Sequence, residues 1–351
     1  MNLPGEGVSM ACVVITHWVH PEVIDLLRGA FEVIANPTRE TLPRKELVRR
    51  AKEAQAMMVF MPDSIDEDFL RDCPDLRIVA GAFKGYDNID VAACTRRGVW
   101  VTVVPDLSTI PTAEIAVGLV IGLARNIVEG DRLVRSGVFA GWRPVLYGKG
   151  CAGRTAGIVG MGAVGRAIAV RLSALDMRIL YCDPVSAGPA MERRLRMARA
   201  DLDRLLESSD FVVIAVPLTP QTFHLIDERR LAQMKLGGCL VNVGRGSVVD
   251  EDAVVTAMHS GRLSGYGADV FEMEDLSRKQ WPAEVAAGLL SNPARTLLTP
   301  HLGSAVDEVR LKIELEAAAN IFEALSGKTP KGAINRPSFR GGRKIRLNGA
   351  G

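Results

Sequence analysis

Three charged side chains in this 351-residue sequence stand where an apolar run ends and the chain is free to bend. Arg245 lies in Asn242-Val243-Gly244-Arg245-Gly246-Ser247, where flanking glycines let the backbone turn sharply and present a fixed cation suited to an anionic substrate. His301 follows Thr299-Pro300 and precedes Leu302-Gly303-Ser304, and imidazole is the side chain whose ordinary pKa lies nearest neutral pH, as general base chemistry requires. Glu274, in Asp269-Val270-Phe271-Glu272-Met273-Glu274, can hold that imidazole in one tautomer and stabilise its charged form. Taken singly, they have plainer readings, as a surface Gly-Arg-Gly turn or a solvated loop carboxylate. Their shared position at the carboxyl ends of strands, where a doubly wound sheet places its chemistry, makes them the candidate catalytic set. The other histidines, His17, His20, His224 and His259, read as structural or solvated.

A second constellation is suited to binding. Gly160, Met161, Gly162, Ala163, Val164 and Gly165 set a G-x-G-x-x-G pattern between the end of a strand and the start of a helix. Gly160 permits the tight turn, Gly162 lets the main chain approach a pyrophosphate, and Gly165 allows close helix packing. The phosphates of a dinucleotide lie against the first amides of that helix, where unpaired N–H groups and the helix dipole favour negative charge. Asp183 ends the next strand, and its carboxylate can accept both ribose hydroxyls while repelling a 2′-phosphate. Pro184, Val185 and Ser186 bring no cation, so the expected cofactor is NAD, with Arg193 and Arg194 further on leaving room for weak NADP use.

Positioning these groups takes an α/β chain. From Cys12 to Val104, strand-like runs (Cys12 to Thr16, Ala56 to Phe60, Arg77 to Phe83, Val99 to Val104) alternate with amphipathic stretches, the pattern of a parallel sheet. A second series holds Thr155 to Val159, Arg178 to Cys182, Phe211 to Val216, Cys239 to Val243, Gly265 to Val270 and Thr296 to Thr299. Between them, Ile115, Leu119, Leu123 and Ile127 recur as one face of a long helix after the polar connector Asp106 to Ile110. A helix from about Val306 to Leu325 follows, and the Gly- and Arg-rich tail beyond Pro337 is expected to be disordered. The expected architecture is two Rossmann-like or flavodoxin-like domains with an inter-domain active-site cleft. Residues 1–108 with 305–351 form the substrate-binding lid, and residues 109–304 form the NAD-binding domain.

Composition narrows the function. Lys and Arg total 43 against 41 Asp and Glu, a net charge of +2, and no basic stripe interleaves with aromatics, so nucleic acid is not an expected partner. No apolar run reaches the roughly 18 residues of a membrane span, and residues 1–10 resemble no signal peptide, so a cytoplasmic protein is expected. Six scattered cysteines without a CxxC pair argue against disulfides and zinc, and no metal is expected.

In order and spacing, the glycine fingerprint, Gly244-Arg245-Gly246-Ser247, Asp269-Val270-Phe271-Glu272 and Thr299-Pro300-His301 resemble the D-2-hydroxyacid dehydrogenase family over nearly the whole chain. Within that family Phe60-Met61-Pro62-Asp63, Lys84-Gly85-Tyr86-Asp87-Asn88, Gly141-Trp142, Tyr147-Gly148 and Gly303-Ser304-Ala305-Val306 are similar to the phosphonate (phosphite) dehydrogenases. The resemblance implies catalysis by Arg245, Glu274 and His301. It implies a substrate site of Lys84, Gly85, Met61 and Arg245 with Trp142, Tyr147 and Arg310 around it, and NAD contacts from Pro217, Val243, Asp269 and His301. It also implies a homodimer joined through the Pro111 to Tyr147 region. A doubly charged phosphite favours a second cation such as Lys84, whereas relatives that reduce 2-keto acids manage with one arginine and main-chain amides. The alternative is a D-2-hydroxyacid dehydrogenase or glyoxylate–hydroxypyruvate reductase, and a further one an NAD-sensing corepressor-like protein. Phe83, where leucine is expected, and Val243-Gly244, in place of a less flexible pair, depart from the pattern.

Overall fold

The computed structural model describes residues 10–276 and 281–337. They divide into two compact units: the described residues up to Leu107 together with those from Val306 onward, and the described residues of Ser108–Ala305.

In unit 1, β1 (Cys12–Ile15), α1 (Pro21–Arg28), β2 (Glu32–Ala35), α2 (Arg44–Ala51), β3 (Ala56–Val59), α3 (Glu67–Asp72), β4 (Ile78–Gly81), α4 (Val91–Arg96) and β5 (Trp100–Thr102) alternate strictly. The strands lie parallel in the order β2-β1-β3-β4-β5. Because side chains alternate across a strand, successive residues enter two cores. Val13, Ile15, Met58 and Ala80 join one core with the residues of α1 and of a returning C-terminal helix, while Val14, Met57, Val59 and Val79 join the other with Leu47, Phe69 and Leu70.

Unit 2 opens with two helices, α5 (Thr109–Ala124) and α6 (Ile127–Arg135), and continues through β6 (Thr155–Val159), α7 (Ala163–Ser173), β7 (Arg178–Cys182), α8 (Pro189–Leu195), β8 (Ala198–Arg199), α9 (Leu202–Ser208) and β9 (Phe211–Ile214). It closes with α10 (Glu228–Gln233), β10 (Gly238–Asn242), α11 (Glu251–His259), β11 (Leu263–Ala268), α12 (Ala287–Leu290) and β12 (Thr296–Leu298). The sheet runs β12-β11-β10-β9-β6-β7-β8 with every pair parallel. The α/β class with two parallel sheets is therefore as the sequence indicates. The returning helix, α13 (Asp307–Leu325), belongs to unit 1.

Two expectations need correction. The helix beginning at Thr109 does not continue through Ile127: Asn126 takes a left-handed conformation, φ 53°, and the chain restarts as α6 with Ile127 exposed. Its buried face includes Ala113, Ala116, Leu119, Val120, Gly122 and Ala124, and the alanines and glycine let the helix lie close to the sheet. Two strands are absent from the sequence reading, β2 and the two-residue β8, both at sheet edges and neither fully buried. Phe83, the departure from the family pattern beside Lys84, is buried in a core of unit 1, with its ring over Gly81, where a Cβ would stand 2.5 Å from the ring. The tail expected to be disordered, beyond Pro337, lies outside the described residues. Among the described residues no single helix is long and apolar enough to cross a membrane.

A buried polar network ties α13 to unit 1. Glu314, 2% exposed, accepts from the His20 main chain at 3.1 Å and faces His20 Nδ1 at 2.7 Å, while His20 Nε2 faces Asp307 at 3.3 Å. Burial disfavours the charged ring, but hydrogen bonds to Glu314 and Asp307, helped by both carboxylate charges, outweigh it and raise the pKa of His20. A raised folded-state pKa gives a stabilisation fully present below the ordinary histidine value and lost as pH rises through the folded one. His20→Gln is thus expected to cost about 1–3 kcal/mol at acidic pH, because Glu314 loses its main partner. Urea unfolding across pH should show this gap shrinking toward alkaline conditions; a gap independent of pH would mean that the ring contributes no charge.

Candidate active site

Strands β10, β11 and β12 are neighbours, roughly 5 Å apart, and each ends in one member of the candidate set. Arg245 follows β10 in a turn fixed by main-chain geometry. Asn242 Nδ2 donates to the Arg245 carbonyl at 2.9 Å, Asn242 Oδ1 accepts from Gly244 N–H at 3.1 Å, and Asp275 accepts from Ser247 N–H at 2.6 Å. A Cβ on Gly246 would overlap the Phe271 main chain, and one on Gly244 would stand 2.5 Å from the Val216 carbonyl oxygen. Gly244 is therefore required by close approach to the β9 end, and its difference from the family pattern is not one of added flexibility. Neither Asn242 nor Asp275 is a candidate by sequence: their role is read from pairings that only the fold brings together.

Glu274 follows β11. Its Oε1 accepts from Phe271 N–H at 2.8 Å and its Oε2 lies 2.6 Å from His301 Nδ1. With Nδ1 facing a carboxylate, the ring carries its proton there and Nε2 is left as the base. The turn bearing Glu274 is held from behind by two buried carboxylates: Glu251 accepts from Glu272 N–H at 2.9 Å, and Glu272 accepts from Glu251 N–H at 3.2 Å. His224 Nε2 stands 3.0 Å from Glu272 Oε2, a structural role like that of His20.

His301 follows β12 in a left-handed conformation, φ 55°, which a residue with a Cβ adopts only when its surroundings hold it there. Asp269 does the holding. This 2%-exposed carboxylate accepts from Thr299 Oγ1 at 2.6 Å, Leu302 N–H at 2.7 Å and Gly303 N–H at 2.8 Å. Burial raises its pKa against those three bonds and the charge of His301. Both oxygens serve the histidine turn, so Asp269 acts here as the organiser of His301.

The glycine loop fits a dinucleotide. Gly160 has φ 98°, and a Cβ there would stand 2.6 Å from the Ala215 carbonyl oxygen; one on Gly165 would overlap the Gly160 carbonyl. At Gly162, the residue preceding α7, a Cβ would meet no atom within 4 Å, the open cradle a pyrophosphate needs. Met161, Ala163 and Val164 complete the loop and the first turn of α7. Asp183 leans onto it, its Oδ2 accepting from Met161 N–H and its Oδ1 from Val185 N–H, each at 2.7 Å. A carboxylate with about four lone-pair sites keeps acceptor capacity for ribose hydroxyls. Pro217 and Val243 follow β9 and β10 at the same edge, with Val243 buried and Pro217 exposed.

Unit 1 gathers the other candidates at its own carboxyl edge. Lys84 and Gly85 follow β4, and Met61 follows β3. Arg310, on α13, donates to the Ala82 carbonyl at 3.1 Å and covers the Phe60 ring at 5.4 Å. Lys84 is half-buried, and that burial lowers its pKa against the opposing charge of Asp106. Burial likewise lowers the pKa of Arg310, opposed by Glu314. Trp142 and Tyr147, by contrast, are 84% and 80% exposed on the segment after α6, the two most exposed large hydrophobic side chains among the described residues.

A glycine loop at the amino end of a helix, an acid at the next strand end and an Arg–Glu–His set on three adjacent strands define an NAD-dependent oxidoreductase. Residues 117–303 match the D-isomer specific 2-hydroxyacid dehydrogenase NAD binding domain, and the chain belongs to that family. It is 39% identical over 322 residues to a glyoxylate reductase of Pyrococcus horikoshii, covering 90% of this chain and 93% of the relative. It is 37% identical to a glyoxylate reductase of Thermococcus gammatolerans, covering 93% and 99%. Among solved structures, a protein from Thermus thermophilus superimposes with a TM-score of 0.83 at 32% identity, covering 92% of this chain and all of that one. An NADPH-dependent glyoxylate/hydroxypyruvate reductase from Sinorhizobium meliloti, in complex with NADP and malonate, gives 0.78 at 28%, covering 93% and 97%. On substrate, these names agree with the keto-acid alternative and not with the phosphite expectation.

Asp269→Ala strips three donors of their acceptor and is expected to destabilise by about 1–3 kcal/mol. It should lower kcat by displacing His301, while NADH affinity, followed by fluorescence, changes little. Unchanged turnover would show that the turn holds itself.

Proposed function

We propose that this enzyme oxidises phosphite to phosphate. The observation that carries the reading is Lys84, a half-buried cation that follows β4 at the carboxyl edge of the unit 1 sheet. A dianion whose charge is spread over three oxygens rewards more cations than a single carboxylate does. In this reading Arg245 binds the anion and His301 Nε2 takes a proton from the attacking water. Glu274 stabilises the resulting imidazolium across the 2.6 Å contact. Water oxygen bonds to phosphorus as the P–H bond breaks, and the bound NAD supplies the hydride acceptor.

A second reading has a specific observation in its favour: relatives 37–39% identical over nearly the whole chain are named glyoxylate reductases. Here the same His301–Glu274 pair protonates the oxygen of a 2-keto acid as hydride arrives, and Arg245 holds the carboxylate. Of the two readings, this is the one the comparisons favour.

NADH absorbance separates the two. Phosphite-dependent NADH formation that falls about 100-fold or more in Lys84→Met supports the first reading, the loss being that of one preorganised charge donor. Because burial lowers the lysine pKa, the KM for phosphite should rise at a lower pH than an ordinary lysine would give. Oxidation of NADH by glyoxylate or hydroxypyruvate, with no response to phosphite, supports the second.

The family resemblance also implies a second copy of this chain as partner. Val138, Trp142 and Tyr147, 62%, 84% and 80% exposed, form the apolar run that such a contact would bury. Light scattering should return twice the chain mass, and Trp142→Ser with Tyr147→Ser should shift it toward the monomer; a monomeric wild type would refute the assembly.

A further inference from the structure

By sequence His17 reads as structural or solvated, and its surroundings fit neither description. It follows β1 at the carboxyl edge of the unit 1 sheet, with a side chain only 14% exposed. Its Nε2 is buried without a hydrogen-bond partner. The acceptor it faces, Asp63 Oδ1, lies 3.8 Å away, beyond hydrogen-bond reach. Asp63 is itself buried and fixed, its Oδ2 accepting from Thr16 Oγ1 at 2.5 Å and from Phe60 N–H at 2.7 Å. His20 and His224, the structural histidines, face their carboxylates at 2.7 Å and 3.0 Å. A buried ring nitrogen with no partner is a poor outcome for a residue kept only for structure. The other ring nitrogen, Nδ1, bonds no described residue and is not buried.

The charge of this ring depends on what stands beside it. Burial lowers its pKa, Asp63 opposes that and Arg310 adds to it; these two, on the loop after β3 and on α13, are the charged groups that bear on the ring. Burial raises the pKa of Asp63 against its bonds from Thr16 and Phe60 and the charge of His17. The pair is thus held toward its neutral forms. His17 and Arg310 lean on one aromatic ring: the Phe60 centroid is 5.4 Å from the imidazole centroid and 5.4 Å from the guanidinium carbon. A protonated His17 adds a second cation near Arg310, and an anion entering beside them offsets that repulsion. Both imidazole nitrogens are donors only in the charged form, so protonation also gives Nε2 a proton to turn toward Asp63 and leaves Nδ1–H for the anion.

We propose that His17 is a specificity-determining residue of the substrate site, taking up a proton from solvent as an oxyanion binds beside Arg310 and donating Nδ1–H to it while Asp63 receives Nε2–H. The proposal rests on the reading above only in placing the anion at the carboxyl edge of unit 1, and it holds for a phosphorus or a carbon oxyanion.

The test is calorimetric titration of the NADH-loaded full chain with phosphite and with oxalate, each in two buffers of different ionisation enthalpy, so that proton uptake is read directly. His301 can contribute to the uptake, so the quantity compared is the difference from His17→Asn, which keeps a polar side chain that does not titrate. Near neutral pH wild type should take up as much as about one proton more per bound anion than the variant. The variant should bind the anion roughly tenfold or more weakly, the scale of a lost hydrogen bond to a charged group, with NADH affinity unchanged. His17→Gln, whose longer amide can reach Asp63, is the second variant if Asn disturbs the fold, and it should lose the same proton. Equal proton uptake in wild type and variants overturns the proposal, and leaves the phosphite reading standing where phosphite binds. Binding of oxalate alone, with uptake that depends on His17, sustains the proposal and removes phosphite as the substrate. Binding of neither anion overturns both.

Discussion

The buried carboxylate of Asp269 is the group on which the carboxyl edge of unit 2 depends. It joins the end of β11 to the turn after β12 through three hydrogen bonds, at 2.6 Å, 2.7 Å and 2.8 Å. A buried anion is tolerated only when its acceptor sites are filled, and here the donors are the hydroxyl and amides of the very segment that carries His301. The left-handed backbone at His301 is a strained choice for a residue with a Cβ, and that strain is held by Asp269. The result is an imidazole aimed at Glu274, so the proton-handling pair is set by a side chain that need not touch a substrate.

The same principle recurs along the edge. At Arg245 the anchoring acid is Asp275, at the glycine loop it is Asp183, and behind Glu274 it is the Glu251–Glu272 pair. In each case a carboxylate takes main-chain amides from a turn that a parallel sheet leaves exposed at strand ends. Glycines at 244 and 246 allow these turns to approach one another, since a Cβ at either would strike neighbouring main chain. Rigidity at the site therefore comes from polar pairing across strands as much as from apolar packing beneath it.

What the sequence disclosed follows from how local each signal is. Strands β6 and β7 are legible to the residue because each is an apolar run between turn residues, and the glycine motif reports itself within six positions. The Arg–Glu–His set is legible because each member follows such a run. Edge strand β8 is two exposed residues and β2 a short four-residue run, each too brief for periodicity to register, and the break at Asn126 is a backbone event inside an apolar stretch. Least legible are pairings across distance: Asp269 with Gly303, Ser247 with Asp275, and Arg199 with the Asp183 turn.

The division of labour between the units bears on substrate. On either proposed reading the groups on unit 2 suit hydride exchange with a small oxyanion: one guanidinium, one imidazole with a defined tautomer, one cofactor loop. None of them distinguishes a carboxylate beside a carbonyl from a phosphorus oxyanion, which is why family membership alone leaves the substrate open. On the phosphite reading proposed above, the distinguishing charge is Lys84 of unit 1, whose pKa burial lowers. Keeping a half-buried lysine costs stability that an apolar side chain would not. On that reading a bound anion offsets the cost, and a dianion offsets more of it than a monoanion. On the proposed reading, charge placement in unit 1 thus sets the substrate, while the acid–base pair of unit 2 serves either chemistry.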